Sequence, residues 1–371
     1  MNEPVNAQTV LITGAFGQVG KLCSKILLSR GHPVVAADLR NEASVAAAEA
    51  MAETASPGTF IAEFADLTDA DAAAALVDRH RPAAIVHLAA IVSPPSYRNP
   101  GLARKVNVEG TRNLVTAART LSEPPLFVFA SSAAVYGSRN PHRYPERITR
   151  DTPVNPIDQY GEDKVLAEGL IADSGLPYAV LRLGGVVSPD GSANFDADYL
   201  LLVRATPTDN RMHSVDARDV ALAFANAAER RDTINGKVLL IAGNDTYLHS
   251  MIGLQDDIMA AVGIGRLGPS AGLPGDADDD RGWAFTGWFD TTESQALLEY
   301  QEHDWPETVD WAIASLGRRR HLLKALGPLI RPGMRALLAV QRRLEHRGRY
   351  ADPWTFMARK YGPDMLASTE G

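Results

Sequence analysis

The chain has 371 residues, of which 45% are hydrophobic and 22% charged, with a net charge of −8 and a single cysteine, Cys23. This composition allows a sizeable core and excludes wholesale disorder, a disulfide framework and a cysteine-based zinc site. The opening Met1-Asn2-Glu3-Pro4 has no secretory pattern and no uncharged apolar run reaches spanning length, so a cytoplasmic protein is expected.

Strands and helices alternate through the first half. Thr9–Ile12 reads as a first strand. Val19, Leu22, Cys23, Ile26 and Leu27 recur at helical spacing until Gly31. Pro33–Ala37, Phe60–Phe64, Ala84–Leu88, Leu126–Phe129 and Tyr178–Leu181 read as further strands. Helices are expected at Val45–Glu53, Ala70–His80, Lys105–Leu121 and Tyr160–Asp173. Apolar strands separated by helices predict an α/β, doubly wound Rossmann-type parallel sheet, whose ligands lie beyond the carboxyl ends of the strands. The dinucleotide-binding domain is placed at 8–183. A small substrate lobe is expected at 184–317, with strands at Val238–Ile241 and around Phe285–Phe289 and with 213–243 returning toward the first domain.

Thr13-Gly14-Ala15-Phe16-Gly17-Gln18-Val19-Gly20 joins the first strand to the first helix. Glycines there let the backbone approach a pyrophosphate at the helix N-terminus. Asp38 closes the second strand, where a carboxylate can accept both adenosine ribose hydroxyls. Arg40 could instead meet a 2′-phosphate, but Asp38 would repel it, so NAD is favoured over NADP. Asp66-Leu67 follows the third strand, and its carboxylate suits either an adenine amino group or a helix cap.

Tyr160 and Lys164 share one helical face. A free phenol is a poor base at neutral pH, and a neighbouring ammonium is expected to bring its pKa toward the working range. The pair follows Ser131-Ser132-Ala133-Ala134-Val135-Tyr136-Gly137 at the end of the fifth strand, where a hydroxyl can donate to a substrate carbonyl.

With these motifs in order, about residues 8–317 resemble the extended branch of the short-chain dehydrogenase/reductase superfamily, the NAD-dependent epimerase/dehydratase family. The matching segments are Thr13-Gly14-x-x-Gly17-x-x-Gly20, His87-Leu88-Ala89-Ala90, Asn107 in Val106–Thr111, Ser132, Val135-Tyr136-Gly137, Tyr160-x-x-x-Lys164, Val215–Ala221 and Phe289–Ala296. The resemblance implies an NAD-dependent oxidoreductase moving a hydride between a secondary alcohol or ketone and nicotinamide. Ser132, Tyr160, Lys164 and Asn107 would be catalytic. Gly14, Phe16, Gly17, Gln18, Val19, Gly20, Asp38, Arg40, Asp66, Leu67, Leu88, Ala89, Ala90, Asn107, Ala130, Tyr160 and Lys164 would meet the cofactor. Val92, Ser93, Ser132, Ala133, Tyr136, Gly184, Gly185 and Val186 would meet the substrate. Asn107 suits either a proton relay or the fixing of main chain at a helix irregularity. Tyr136 suits packing more than substrate contact, and His87 a structural role.

Many members of this family act on nucleotide sugars, and two departures speak against such a substrate. Gly185 stands where the sugar-nucleotide enzymes carry an asparagine after Arg182. Met212 and Asp216 occupy the positions of their diphosphate-binding arginine and its following histidine, with Arg211 one residue out of register. Gly184 and Gly185 leave room for a bulky group, and Tyr97, Trp283, Phe285, Trp288 and Phe289 offer an apolar or aromatic lining. A non-nucleotide secondary alcohol or ketone, apolar or aromatic, is the favoured small-molecule substrate. A sugar-nucleotide epimerase or dehydratase with recycled NAD and a non-catalytic NAD-binding regulator are the alternatives. No nucleic-acid partner is expected of an acidic body, and a homodimer is.

From Arg318 onward, 12 Lys/Arg face 4 Asp/Glu, leaving 25 against 41 before it. This 318–371 tail reads as basic amphipathic helices, split in two at Pro332-Gly333. Docking against the acidic body or a partner subunit is favoured over peripheral contact with a membrane.

Overall fold

The computed structural model describes residues 8–55, 59–189, 197–285, 287–317 and 319–368. Its first half is a chain of strand–helix units: β1 (Val10–Thr13), α1 (Gln18–Ser29), β2 (Val34–Asp38), α2 (Glu42–Ala52), β3 (Phe60–Phe64), α3 (Ala70–His80) and β4 (Ala84–His87). Then come α4 (Pro100–Arg104), a π-helical turn (Lys105–Glu109), α5 (Gly110–Arg119), β5 (Leu126–Ser132), α6 (Gln159–Ala172) and β6 (Tyr178–Leu183). The single helix expected from Lys105 is thus interrupted by a wider turn, and Asn107 sits in it.

The second half comprises β7 (Gly185–Val187), α7 (Ala197–Ala205), β8 (Arg211–Asp216), α8 (Ala217–Glu229), α9 (Arg231–Ile234), β9 (Lys237–Ile241), β10 (Leu248–Ser250) and α10 (Met251–Ala261). It closes with α11 (Thr292–Leu298), α12 (Trp305–Leu316), α13 (Arg319–Leu344) and α14 (Pro353–Tyr361).

Seven parallel strands form the main sheet in the order β3-β2-β1-β4-β5-β6-β9. Valine, isoleucine and alanine dominate β1, β2 and β4, and almost every one of these residues is buried, as strands covered on both faces require. Helices α1 and α8 pack on one face, and α3, α5 and α6 on the other. Cys23 lies on the inward side of α1, fully buried, and burial pushes its thiol up to about 12.

The strand near Val238 lies in the main sheet, paired with β6, in keeping with the expected return of 213–243 to the first domain, because its apolar side chains complete that core. Two expectations are corrected. Around Phe285–Phe289 there is no strand among the described residues, only a bridge from Phe289 to Ile148. A small sheet of order β10-β8-β7 stands beside the main one instead. Finally, α13 runs unbroken past Pro328 and Pro332. Both prolines are exposed, so carbonyl groups deprived of a helical partner can meet water. Arg318 lies outside the described residues.

The tail docks on the chain's own body, α13 through backbone carbonyls and the segment after it through the carboxylates of Asp198 and Glu162 as well. Arg320, Arg331, Arg335 and Arg342 donate to the carbonyls of Ala261, Ile264, Leu267 and Gly272. Beyond α13 the chain returns to α6, where Leu366 forms an antiparallel bridge with Asp158.

Candidate active site

The carboxyl ends of β1–β4 open onto a 450 Å³ groove lined by Gly14, Gly17, Asp38, Asp66, Leu67, Leu88, Ala89 and Ala90. It lies at the switch point of the sheet, where β1 is paired with β2 on one side and β4 on the other. Gly14 has φ +67°, and a Cβ there would stand 2.8 Å from the Ala89 nitrogen, so only glycine lets the loop lie this close to the strip after β4. Gly17 caps α1 without a side-chain bond, which leaves the first-turn N–H groups to an outside anion. Val19 packs on the core and Gly20 is buried behind the loop, while Gln18 accepts a hydrogen bond from Ser188 at 2.8 Å.

The Asp38 carboxylate accepts from the N–H of Phe16 at 3.1 Å and of Leu39 at 2.8 Å, which fixes it at the groove rim. The Arg40 guanidinium is stacked 4.6 Å over the Phe64 ring. Asp66 accepts from the N–H of Thr68 at 2.9 Å, and Asp69 is the residue that caps α3, so the capping alternative for Asp66 is wrong. Backbone N–H groups, a fixed carboxylate and an apolar strip are what a dinucleotide needs, and the residues present fit one.

Asp158 caps α6, accepting from the N–H of Gly161 at 3.1 Å, and this sets the start of the helix that carries Tyr160 and Lys164. Lys164 donates to the Ala130 carbonyl at 2.8 Å, and its ammonium lies 5.7 Å from the centre of the Tyr160 ring. Ser132 lies close enough to the Tyr160 phenol to favour its ionised form, and it accepts from the N–H of Ala134. Tyr160 and Lys164 are both buried. Burial drives the Tyr160 phenol pKa upward, and the Asp158 and Asp163 carboxylates add to this against the Ser132 hydroxyl. The expected lowering by Lys164 is therefore not what the protein alone provides: desolvation outweighs it, and it also draws Lys164 down to about 8.

Asn107 accepts from the N–H of Ile91 at 2.8 Å and donates to its carbonyl at 3.0 Å, clamping the main chain just past Ala89-Ala90. Its amide also reaches Asp163 on α6 at 3.4 Å. His87 is held between Thr13 at 2.6 Å and Thr111 at 2.9 Å, and burial lowers it to about 3, so it is a neutral structural group.

On the substrate side Tyr136 packs, the alternative favoured for it, while the glycines and aromatic residues depart from expectation. Tyr136 accepts from Arg182 at 2.8 Å and donates to the Thr149 carbonyl, and it is packed with Ala133, Ile148 and Phe289. Both residues are core groups rather than pocket walls. A Cβ on Gly184 would come within 2.5 Å of the His213 carbonyl. Its lack of a side chain therefore serves the close approach of β8, not a bulky ligand; Gly185 and Val186 pair with β8 beside it. Tyr97, Trp283 and Phe289 are fully buried. Trp288 donates to the His249 carbonyl beneath Arg211, and Phe285 stacks on Trp354. Val92 is exposed, and the Tyr97 hydroxyl, close to Ser93, donates to Asp158.

Sequence reasoning missed the wall that the C-terminus builds. Trp354, Met357 and Met365 are buried in one cluster with Tyr97, Ile157 and Tyr160. The Ala367 N–H donates to the Ile157 carbonyl at 3.1 Å, and Tyr361 donates to Asp198 on α7 at 2.7 Å. Asp352 ahead of Pro353 signals a helix start, but no local pattern says that the helix returns to α6. Also missed were Arg104, bonded to Asp163 at 2.9 Å, and Glu168, paired with Arg182 at 2.7 Å. These ion pairs brace α6 against α4 and β6.

A doubly wound sheet with a glycine cradle at its switch point and a Tyr–Lys helix beside it defines the class of dinucleotide-binding α/β proteins. The model of the NAD dependent epimerase/dehydratase family matches residues 10–242, and the chain belongs to that family. It is similar to the UDP-glucose 4-epimerase of Mycolicibacterium smegmatis, 36% identical over 159 residues, 43% of this chain and 48% of that one. The D-erythronate dehydrogenase of Cupriavidus necator is 31% identical over 170 residues, 44% and 49% of the two chains. The chain spans about half the length of the curated relatives it matches. Among solved structures, the Bordetella bronchiseptica enzyme WbmG in complex with NAD and UDP gives a TM-score of 0.64 at 20% identity over 85% of this chain and 96% of that one. The Thermus thermophilus UDP-glucose 4-epimerase in complex with NAD gives 0.64 at 21% identity over 84% and 99%. These two share the fold.

Proposed function

We propose that the protein is an NAD-dependent oxidoreductase interconverting a secondary alcohol and a ketone, with Tyr160 as the proton-transfer group. The observation that carries this reading is the convergence of Ser132, Tyr160 and Lys164 at the end of β5, next to the Gly14–Asp38 groove. Bound NAD supplies the hydride acceptor or donor. Asp38 holds the adenosine ribose, and the free N–H groups of α1 hold the pyrophosphate. Ser132 and Tyr160 hydrogen-bond the substrate oxygen. A phenol whose pKa is raised keeps its proton at neutral pH and can donate it to a ketone oxygen as negative charge develops there. Lys164 supplies the nearest positive charge and steadies the phenolate left behind.

The substrate is a non-nucleotide compound with an apolar body. Arg211, the nearest candidate for a diphosphate, donates to the Pro145 carbonyl and stacks on Trp288. The Trp354–Met365 wall supports an apolar substrate at the Tyr160 end of α6. The likeness to UDP-glucose 4-epimerases supports a second reading, epimerisation with recycled NAD. Absorbance of the reduced nicotinamide, followed across a panel of secondary alcohols, tests the first. Tyr160→Phe should lose about 100- to 10,000-fold in turnover while still binding NAD. Unchanged turnover in that variant overturns the mechanism. NAD that stays bound through gel filtration and turns over without added redox substrate favours the second reading.

A further inference from the structure

Helix α13 has two unlike faces. One carries Arg320, Arg331, Arg335 and Arg342, all bonded to carbonyls of the 261–272 segment, and Gly327, whose absent Cβ lets that segment come close. The other carries Leu322, Leu326, Leu329, Leu337, Val340 and Leu344, exposed by 64, 41, 78, 57, 49 and 73%. At about 100° per residue these six fall within a stripe of roughly 80°. Pro332, Gly333 and Ala336, also exposed, fill the gap between Leu329 and Leu337. Single exposed leucines are ordinary, but six in register along a 26-residue helix are not.

The helix holds seven Lys/Arg and no Asp or Glu. Bonding to a carbonyl leaves an arginine its full charge. Among the described residues, none of Arg320, Lys324, Arg331, Arg335, Arg342 and Arg343 has a carboxylate within ion-pair distance. Beneath the helix lies a 250 Å³ apolar cavity between α7, α10 and α13. Two of its lining residues, Leu200 and Leu337, are themselves exposed, so it opens onto the leucine stripe. No helix among the described residues is long and apolar enough to cross a membrane.

We propose that the outer face of α13 docks in the plane of an anionic lipid bilayer, its leucines at the acyl boundary, Arg343 exposed beside the stripe, and the positive charge of the body-side arginines drawing the headgroups. Uncompensated cations on an apolar helix call for a partner that offers both hydrocarbon and negative charge, and an anionic bilayer offers both. A second copy of the chain would offer the leucines but would bring another helix without a single carboxylate.

The test is co-sedimentation of the full chain, loaded with NAD, with vesicles of phosphatidylcholine alone or mixed with phosphatidylglycerol. Binding to the mixed vesicles should be at least about tenfold tighter and should weaken as salt is raised. Leu329→Glu/Leu344→Glu, at two of the most exposed positions, should abolish sedimentation while leaving NAD affinity and the melting temperature unchanged. The proposal is overturned if the wild-type chain stays in the supernatant with both vesicle types or if the double variant sediments like wild type. It is equally overturned if the double variant splits a dimer in analytical ultracentrifugation while lipid leaves the wild type unbound.

Discussion

The nucleotide-binding half and the C-terminal tail are held in place by opposite means. Around the groove, main chain lies on main chain: Gly14 touches Ala89, and the Leu88 N–H donates to the Thr13 carbonyl. In the tail, long side chains reach across to foreign backbone, as the α13 arginines and the Trp354 indole do. Backbone contact tolerates almost no change, so it suits a cofactor that every family member must hold. Side-chain contact can be rebuilt piecemeal, so it suits a wall that adapts to one substrate.

Four substitutions can break or sharpen this contrast. Trp354→Ala should cost the C-terminal wall about 3–5 kcal/mol, from the cavity it leaves. Limited proteolysis should then cut between α13 and α14 while NAD affinity holds. A loss of NAD affinity would mean that the two regions are not separable. Asp38→Ala should weaken NAD by about 1.5–3 kcal/mol, roughly 10- to 100-fold, by isothermal titration. It should weaken NADP much less, and an equal loss for both would remove Asp38 from the ribose. Gly184→Ala should cost about 1–3 kcal/mol in urea unfolding, since its Cβ would meet the His213 carbonyl. Gly185→Ala, 3.8 Å from that carbonyl, should change little, and equal effects would undo the packing argument.

A further effect concerns pH. Burial raises Asp158 from its ordinary 3.8 to about 6, so its neutral form is favoured in the folded chain. The stability tied to that proton is complete below about pH 4 and is lost as pH rises through about 6. Asp158→Asn cannot ionise and still offers an acceptor to Gly161. The variant should therefore gain on wild type by about 2 kcal/mol between about pH 4 and pH 7, read from urea midpoints. A gap that stays constant would assign the titration to another carboxyl.

The contrast also explains what was legible in the sequence. Strand–helix alternation, the glycine loop and the Tyr160–Lys164 spacing are local patterns, and each has a counterpart in the structure. The π turn at Asn107 carries no glycine or proline to mark it, so Lys105–Leu121 reads as one helix. The aromatic residues were read as a lining because composition says nothing of depth. Tyr97, Trp283 and Phe289 are instead fully buried packing residues. The pairing of Leu366 with Asp158 joins residues about two hundred positions apart and has no local signature at all.

Cys23, the only thiol in the chain, gives the nucleotide-binding half its own reporter. It is fully enclosed beneath α1, with a thiol pushed up to about 12, and so it is inert to alkylating reagents while the fold is closed. Its labelling rate therefore counts the openings of the helix whose N-terminus faces the pyrophosphate site. NAD should slow that clock, whereas losing the C-terminal wall should leave it running at the same pace.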